Sequence, residues 1–477
     1  MKVYEKVIKH IEHQLRSGAL QAYDFLPSVR SLSQTLNVSK NSVIRAYIAL
    51  EQSRVILAHP RKGFSIKADT EYDQPQPPSP QKVIRGATSL DIIGSAQRQA
   101  DVVFGSANPD TRIKGRKEFY KQLNKLVRLE IKSPAIYSHY QAPPGNLELR
   151  QQIAKKTHSG HAELDPEEII ITNGAQEAIS LALRSTTQPG DIIAVESPCF
   201  YGTLQCIEAL GLQIIEIPSH APDGIDLEQL SNILERWEIK TILLNPHANN
   251  PLGFNMPDTM KSSLMAIAQA YDLVIIEDDV FGKLVHTSQR RRTLKSMDTE
   301  GRVILCSALS KILDPDIRIG WVSPGRYFDQ VNYLKYVTTL ATSGLMQHAS
   351  ALWMESANFD RHIKQLQNNY RQRKILFIEA LKICLPVEAH INNPDSGYLC
   401  WITLPFNIDG DNLFERMKSD GVSITPGSLF GTARQFQHCI RLNFSTFDNT
   451  PKQLSALARL GELISEEINF QTQKSPA

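Results

Sequence analysis

The sequence predicts a chain in three parts: a small, mainly α head, an α/β body with a mainly parallel seven-stranded sheet, and a smaller α+β region at the C-terminal end. Three observations lead there. From Ile169 onward short β-rich runs alternate with helical stretches, a proline-rich segment interrupts the chain near residue 75, and the charge changes sign across that segment. A chain of 477 residues is also too long for one core. Residues 1–67 hold eleven Lys or Arg against four Asp or Glu, a net +7 that leaves −5 for the remainder of a chain whose total is +2. A small basic module on a large acidic one points to a polyanion as the head's partner.

The head builds up element by element. Tyr4, Val7, Ile8, Ile11 and Leu15 share one face at helical spacing, and Gly18 can stop that helix. Ser28 can cap a second helix with Val29, Leu32 and Leu36 inward. After the break at Asn37 and Val38, Ser39 can cap a third with Val43, Ala46, Tyr47 and Leu50 inward. Two short helices joined by a tight turn form a helix-turn-helix. Val55 to Ala58 and Phe64 to Lys67 read as a hairpin with Arg61 and Lys62 at its tip, a basic wing. The expected partner is double-stranded DNA, with Arg30, Arg61 and Lys62 on phosphates and Ser39, Lys40, Asn41, Ser42 and Arg45 facing the major groove. This arrangement, with Leu-Pro-Ser-Val-Arg from Leu26 and Val-Ser-Lys-Asn-Ser-Val from Val38, resembles the winged helix-turn-helix of GntR-type regulators over residues 1–67.

Ala68 to Lys82 reads ADTEYDQPQPPSPQK, a partly extended linker. The domain assignment is therefore 1–67 for the head, 68–100 for the linker, 101–326 for the large domain and 327–477 for the small one. The strand runs are Ile169–Thr172, Ile192–Glu196, Gln213–Ile217, Thr241–Asn245, Leu273–Glu277, Val303–Cys306 and Ile317–Val322. Continuous apolar strands separated by helices indicate a sheet covered on both faces, where ligands bind beyond the strands' carboxyl ends. No run approaches the ~20 apolar residues of a membrane span. The opening MKVYEKVIKHIEHQL has helical periodicity rather than a signal peptide's apolar centre, so the cytoplasm is the expected location. Six cysteines are scattered without CxxC pairs, which indicates neither a zinc site nor a disulfide framework.

The strand ends carry the chemistry. Gly174, Ala175 and Gln176 open a helix after the first run, where backbone amides can bind an anion or simply make a turn. Phe200 follows the second run, as a stacking face or as core. Asn250, before Pro251-Leu252-Gly253, can donate to a ligand oxygen or close the turn. Asp278 and Asp279 end the fifth run; a carboxylate there can sit under a pyridine nitrogen, or these acids can be exposed charge or metal ligands, and no His or Cys companion supports a metal. In Ser307-Ala308-Leu309-Ser310-Lys311 an amine follows the sixth run, and Arg318 on the seventh adds a guanidinium seven residues later. An amine can form an imine with an aldehyde while a guanidinium grips a phosphate as a planar fork. Pyridoxal phosphate (PLP) carries both groups.

Anion turn, aromatic, Asn-Pro-x-Gly, Asp, Lys and Arg in that order resemble the fold type I, class I aminotransferases from about Asp101 to the end. With the head, the whole chain resembles the MocR subfamily of GntR regulators. The resemblance implies a PLP-dependent transferase fold in which Lys311 forms the internal aldimine, Asp278 faces the pyridine nitrogen and Asn250 the ring hydroxyl. It implies that Arg318, Ser310, Ser307 and the amides of Gly174 to Gln176 hold the phosphate, and that Phe200 stacks on the ring. Tyr140, in Tyr140-Gln141-Ala142-Pro143-Pro144-Gly145, matches a tyrosine that reaches the partner subunit's phosphate, which implies a homodimer. Arg441 matches the arginine that takes a substrate carboxylate; read from the residues alone it could equally make a buried ion pair. The family's tyrosine two or three residues after the pyridine aspartate is missing, since Val280 and Phe281 lack a hydroxyl, and Phe200 replaces a common tyrosine. The expectation is a PLP-binding transcription regulator that senses an amine or amino acid effector. The alternative is an active class I aminotransferase.

Overall fold

The computed structural model describes residues 3–16, 26–36, 38–52, 55–59, 63–66, 79–84, 94, 100–133, 139–157, 164–286, 292–405, 408–432 and 435–474. They divide into two compact units, Met1–Ser79 and Pro80–Ala477. In the first, α1 (Val3–Arg16), α2 (Val29–Thr35) and α3 (Lys40–Gln52) bury Val7, Ile11, Leu32, Val43, Ala46 and Leu50 against one another. Both expected caps form: Ser28 Oγ accepts from the Ser31 amide at 3.1 Å and Ser39 Oγ from the Ser42 amide at 3.2 Å. The Tyr47 hydroxyl donates to Pro27 O at 2.6 Å, tying α3 to the start of α2. Burial pushes that phenol up to about 12. The wing is the antiparallel pair β1 (Ile56–His59) and β2 (Gly63–Ile66), with Ile56 opposite Ile66. The wing-tip residues Arg61 and Lys62 lie outside the described residues, as does Gly18.

The second unit is built on a sheet containing β3 (Gln81–Lys82), while β4 (Val102–Val103) lies outside it. The sheet's remaining strands are β5 (Ile170–Thr172), β6 (Ile192–Ser197), β7 (Gln213–His220), β8 (Gly224–Ile225), β9 (Ile239–Leu244), β10 (Val274–Asp278), β11 (Val303–Ala308) and β12 (Gly320–Ser323). Their order is β3-β7-β6-β9-β10-β11-β12-β5, with β8 on β7. The sheet therefore has nine strands, not seven. All seven apolar runs became strands; β3 and β8 are two-residue additions at the β7 edge, too short to leave a pattern. Pairing is parallel from β7 through β11, and β12 runs antiparallel to both β11 and β5.

Alternate residues of one strand feed opposite cores, as a pleat requires. Ile193, Leu243, Ile276 and Ile304 pack with Ala178 and Leu181 on one face, while Ala194, Ile242, Ile275 and Val303 pack with Leu230 and Leu264 on the other. Each of these Val, Leu and Ile side chains contributes roughly 1.5–3 kcal/mol by leaving water. Beyond Phe328 come three helices, Phe328–Thr339, Gly344–Glu355 and Ala357–Cys384. The strands that follow are β13 (His390–Ile391), β14 (Leu399–Thr403), β15 (Val422–Ser423), β16 (Thr425–Pro426) and β17 (Cys439–Asn443). Four of them form an antiparallel sheet ordered β13-β14-β17-β16, and β15 pairs with β4. The closing helix is Pro451–Lys474. No helix among the described residues is long and apolar enough to cross a membrane.

Candidate functional site

Because β12 reverses direction, the chain leaves β11 at Ala308 and returns at Gly320 directly opposite it. Lys311 and Arg318 thus stand at one end of the sheet. Arg318 is not on the strand, as its apolar neighbours suggest. It follows a short turn, Pro315–Ile317, in a left-handed conformation with φ 55°, which non-glycine residues seldom adopt. Its guanidinium holds it there, donating to Asn173 O at 2.7 Å. Gly174 has φ 86° and opens the helix Ala175–Thr186; a Cβ at 174 would stand 2.5 Å from the Arg318 guanidinium. A cation and a row of helix-initial amides therefore share one spot, which is a cradle for an anion.

Beside the cradle lies a cavity of about 270 Å3 whose lining includes Ala175, Gln176, Phe200, Asn250, Asp278, Ser310, Lys311 and Arg318. Eight side chains singled out from the sequence thus come together. Others do not line it. The Ser307 hydroxyl donates to Asp279 O at 3.0 Å, Gly174 sits behind Arg318, and Tyr140 is 78% exposed. Arg441, fully buried on β17, reaches the cavity only through Asn250, donating from Nη1 to Oδ1 at 3.0 Å and from Nη2 to Gly105 O at 2.8 Å. Its Nε has no hydrogen-bond partner among the described residues. A larger cavity of about 720 Å3 beyond Asp279, bordered by His247, Lys283 and His286, is lined by neither Lys311, Asp278 nor Arg318.

Lys311 Nζ donates to Ala107 O at 2.8 Å. Burial lowers its pKa to about 8, with Arg441 and Arg318 adding to the effect and Asp278 opposing it. A useful fraction of neutral amine is therefore present near neutrality. Burial raises Asp278 to about 6, helped by Asp279 and Glu277 and opposed by the Val280 amide and Lys311. Asp278 is thus mainly ionised at pH 7 and can hold a proton on a ring nitrogen. These donors fit a ligand that joins an aldehyde, a ring nitrogen and a phosphate.

Several residues were missed in the sequence. The Asn245 side chain donates to Asp278 O and accepts from the Asn250 amide at 2.9 Å, so one amide fixes both. Glu196 lines the cavity, 3% exposed, with Oε1 accepting from the Asn245 amide at 2.7 Å and Oε2 without a hydrogen-bond partner among the described residues. Burial pushes its carboxyl well above the usual range. Its only sequence signal was an acid at the end of an apolar run. The expectation that the acids after β10 lack a histidine companion is corrected: His247 Nδ1 stands 2.6 Å from Asp279 Oδ1, and His247, Glu277 and Asp279 lie within 4.8 Å of one another. Lys261 Nζ, 2.8 Å from His247 Nε2, already occupies one side of that group, and Glu277 accepts from two backbone amides.

In the head, Ser39, Lys40 and Asn41 are exposed at the start of α3. The hydroxyls of Ser39 and Ser42 lie 2.9 Å apart, each partnered by the other. Arg45 stacks its guanidinium 4.8 Å from the ring centre of Tyr4 on α1. Lys40 and Asn41 are thus the most open of the groove-facing candidates, and Arg30 lies on α2.

Residues 103–457 match the family model of class I and II aminotransferases, and residues 3–66 that of bacterial regulatory proteins of the gntR family. The chain is 34% identical over 471 residues to the uncharacterized HTH-type transcriptional regulator YjiR of Escherichia coli K12, covering 97% of this chain and 99% of that protein. It is 31% identical over 307 residues to aromatic-amino-acid aminotransferase 1 of Thermococcus litoralis, 63% of this chain and 73% of that protein. Among solved structures, the kynurenine aminotransferase of Pyrococcus horikoshii superimposes with a TM-score of 0.72 at 28% identity, over 80% of this chain and 95% of its own. The chain therefore belongs to the GntR-type transcriptional regulators that carry a class I and II aminotransferase domain behind the helix-turn-helix, the MocR arrangement.

Proposed function

We propose that this protein is a DNA-binding regulator whose aminotransferase-like domain holds PLP through Lys311 and senses an amine or amino acid by it. The observation that carries this is the meeting of the Lys311 amine, the Asp278 carboxylate and the Arg318 guanidinium in one cavity at a helix start. When bound, the cofactor supplies an aldehyde and an electron-withdrawing ring. The protein's own part is to present a neutral amine, keep the ring nitrogen protonated with Asp278, steer the ring with Asn250 and Phe200, and neutralise the phosphate with Arg318, Ser310 and the amides of Gly174 to Gln176. Ser307 acts one step back, holding the Asp279 carbonyl. Arg441, whose Nε–H has no hydrogen-bond partner among the described residues, supports a carboxylate-bearing effector. The exposed Tyr140 supports a homodimer in which it serves the partner's site. The domain division 1–67, 68–100, 101–326 and 327–477, and a cytoplasmic location, belong to the same proposal.

The test is binding to the DNA upstream of its own gene, with PLP present and stripped, at two salt concentrations. Specific binding that responds to PLP or to an added amino acid is expected. Turnover of an amino acid with a keto acid at roughly 1–10³ per second, without specific DNA binding, would instead favour the aminotransferase, a reading that the presence of Lys311, Asp278 and Arg441 together supports.

Two further results are expected. Capture of PLP by the stripped protein should quicken about tenfold per pH unit from pH 6 until it levels off near 8, because only the unprotonated Lys311 amine attacks. Stopped-flow absorbance would show this, and a rate flat from pH 6 to 9 would exclude Lys311 as the group. Asn41→Ala should weaken binding to the specific site by about 1–3 kcal/mol while sparing non-specific DNA; equal losses on both in a gel-shift titration would place Asn41 away from the base edges.

A further inference from the structure

Phe281, three residues beyond Asp278, offers no hydroxyl to the amine of Lys311, which stands 5.7 Å from the centre of its ring. A hydroxyl arrives from elsewhere. Tyr398, wholly buried, packs edge-on against Phe281 with ring centres 5.3 Å apart, and its hydroxyl donates to Ala107 O at 2.9 Å. Lys311 Nζ donates to that same oxygen at 2.8 Å.

We propose that Tyr398 is the positioning residue of Lys311: by occupying one side of the Ala107 carbonyl it sets where the uncombined amine waits and how readily it releases its proton. This rests on the reading of Lys311 as the lysine that captures PLP. A carbonyl oxygen offers two acceptor positions, and here the tyrosine takes one and the amine the other. Among the described residues, Ala107 O is the one acceptor that Nζ meets. Remove the phenol, and the oxygen turns wholly to the ammonium. A stronger bond to the charged form makes the amine hold its proton to higher pH. The other charges acting on the amine, Asp278 in the same direction and Arg441 and Arg318 against it, are untouched by that change.

The experiment uses full-length protein stripped of cofactor and mixed with PLP, following covalent capture, in which the amine nitrogen replaces the aldehyde oxygen and water leaves. Tyr398→Phe is expected to slow capture at pH 7 about threefold to tenfold and to displace the midpoint of the pH profile by about half to one unit toward alkali, with rates converging at high pH. Tyr370→Phe is the control. Its ring centre lies 5.0 Å from that of Tyr398, but its hydroxyl accepts from the Asp110 amide at 3.3 Å and does not touch Ala107, so its profile should match the unsubstituted protein.

An unchanged profile in Tyr398→Phe, or equal displacement in both variants, overturns the inference. Where Tyr398→Phe does not fold, 3-fluorotyrosine placed at 398 is used. Its more acidic hydroxyl donates more strongly to the carbonyl and should move the midpoint toward acid; no movement overturns the inference. If the unsubstituted protein captures no PLP, the cofactor reading falls first and the role of Tyr398 with it.

Discussion

Lys311→Ala is expected to abolish the borohydride-reducible adduct with PLP while leaving the protein folded. The loss follows from chemistry, since among the described residues no other side chain lining the cavity carries an amine. The survival of the fold follows from packing. Among the described residues Nζ makes one hydrogen bond, to Ala107 O, and that oxygen keeps its donor from Tyr398 when the lysine is gone. Burial also disfavours the ammonium, so its removal relieves a cost. Arg318 and the helix start remain, so weak non-covalent binding should persist. Mass spectrometry after reduction reads the adduct and thermal melting reads the fold; an adduct of unchanged yield in the variant would sink the assignment of Lys311.

The second large effect is expected in the head. Leu32→Ala should lower specific DNA binding by at least tenfold to a hundredfold and leave PLP capture as it was. Leu32 is 2% exposed in a core of nine buried side chains. Truncating such a leucine costs about 2–5 kcal/mol, against a total stability of about 3–10 kcal/mol for a unit of this length. Every described residue lining the cavity at Lys311 belongs to the other compact unit, Pro80–Ala477. Gel shift and absorbance on one preparation separate the two outcomes; parallel loss of DNA binding and capture would mean that the units depend on each other for stability.

The body's strands were legible because a strand buried on both faces reads as an unbroken apolar run, and the nearness of Asp278 to Lys311 was legible because the runs that precede them are parallel neighbours in the sheet. What escaped was whatever depends on distant parts of the chain meeting. Tyr398 and Ala107 are 291 residues apart. His247 and Asp279 are 32 apart, so a search for neighbouring histidines passes over the pair. Arg318 was placed on the strand because Ile317 and Ile319 flank it; its left-handed turn is set by Asn173, a residue from another strand end. Ser307 is a different case. It stands in the cofactor motif, yet its side of the strand faces the Asp279 backbone, and a motif does not reveal which side of a pleat a hydroxyl takes.

The reversal of β12 also decides where the chain can be lengthened. Leu309 to Ile319 is a closed span whose ends, Ala308 and Gly320, sit opposite each other in adjacent strands. An inserted residue there cannot be absorbed by sliding β12, because its other edge is paired with β5 at Gly320–Thr172 and Trp321–Ile171; it must displace the amine from the guanidinium. The connection from the helix Asp258–Ala270 to β10, by contrast, lies where strands and helices run in alternating succession and carries no cavity residue. Length variation among relatives should therefore gather in connections of that second kind and be absent between Lys311 and Arg318.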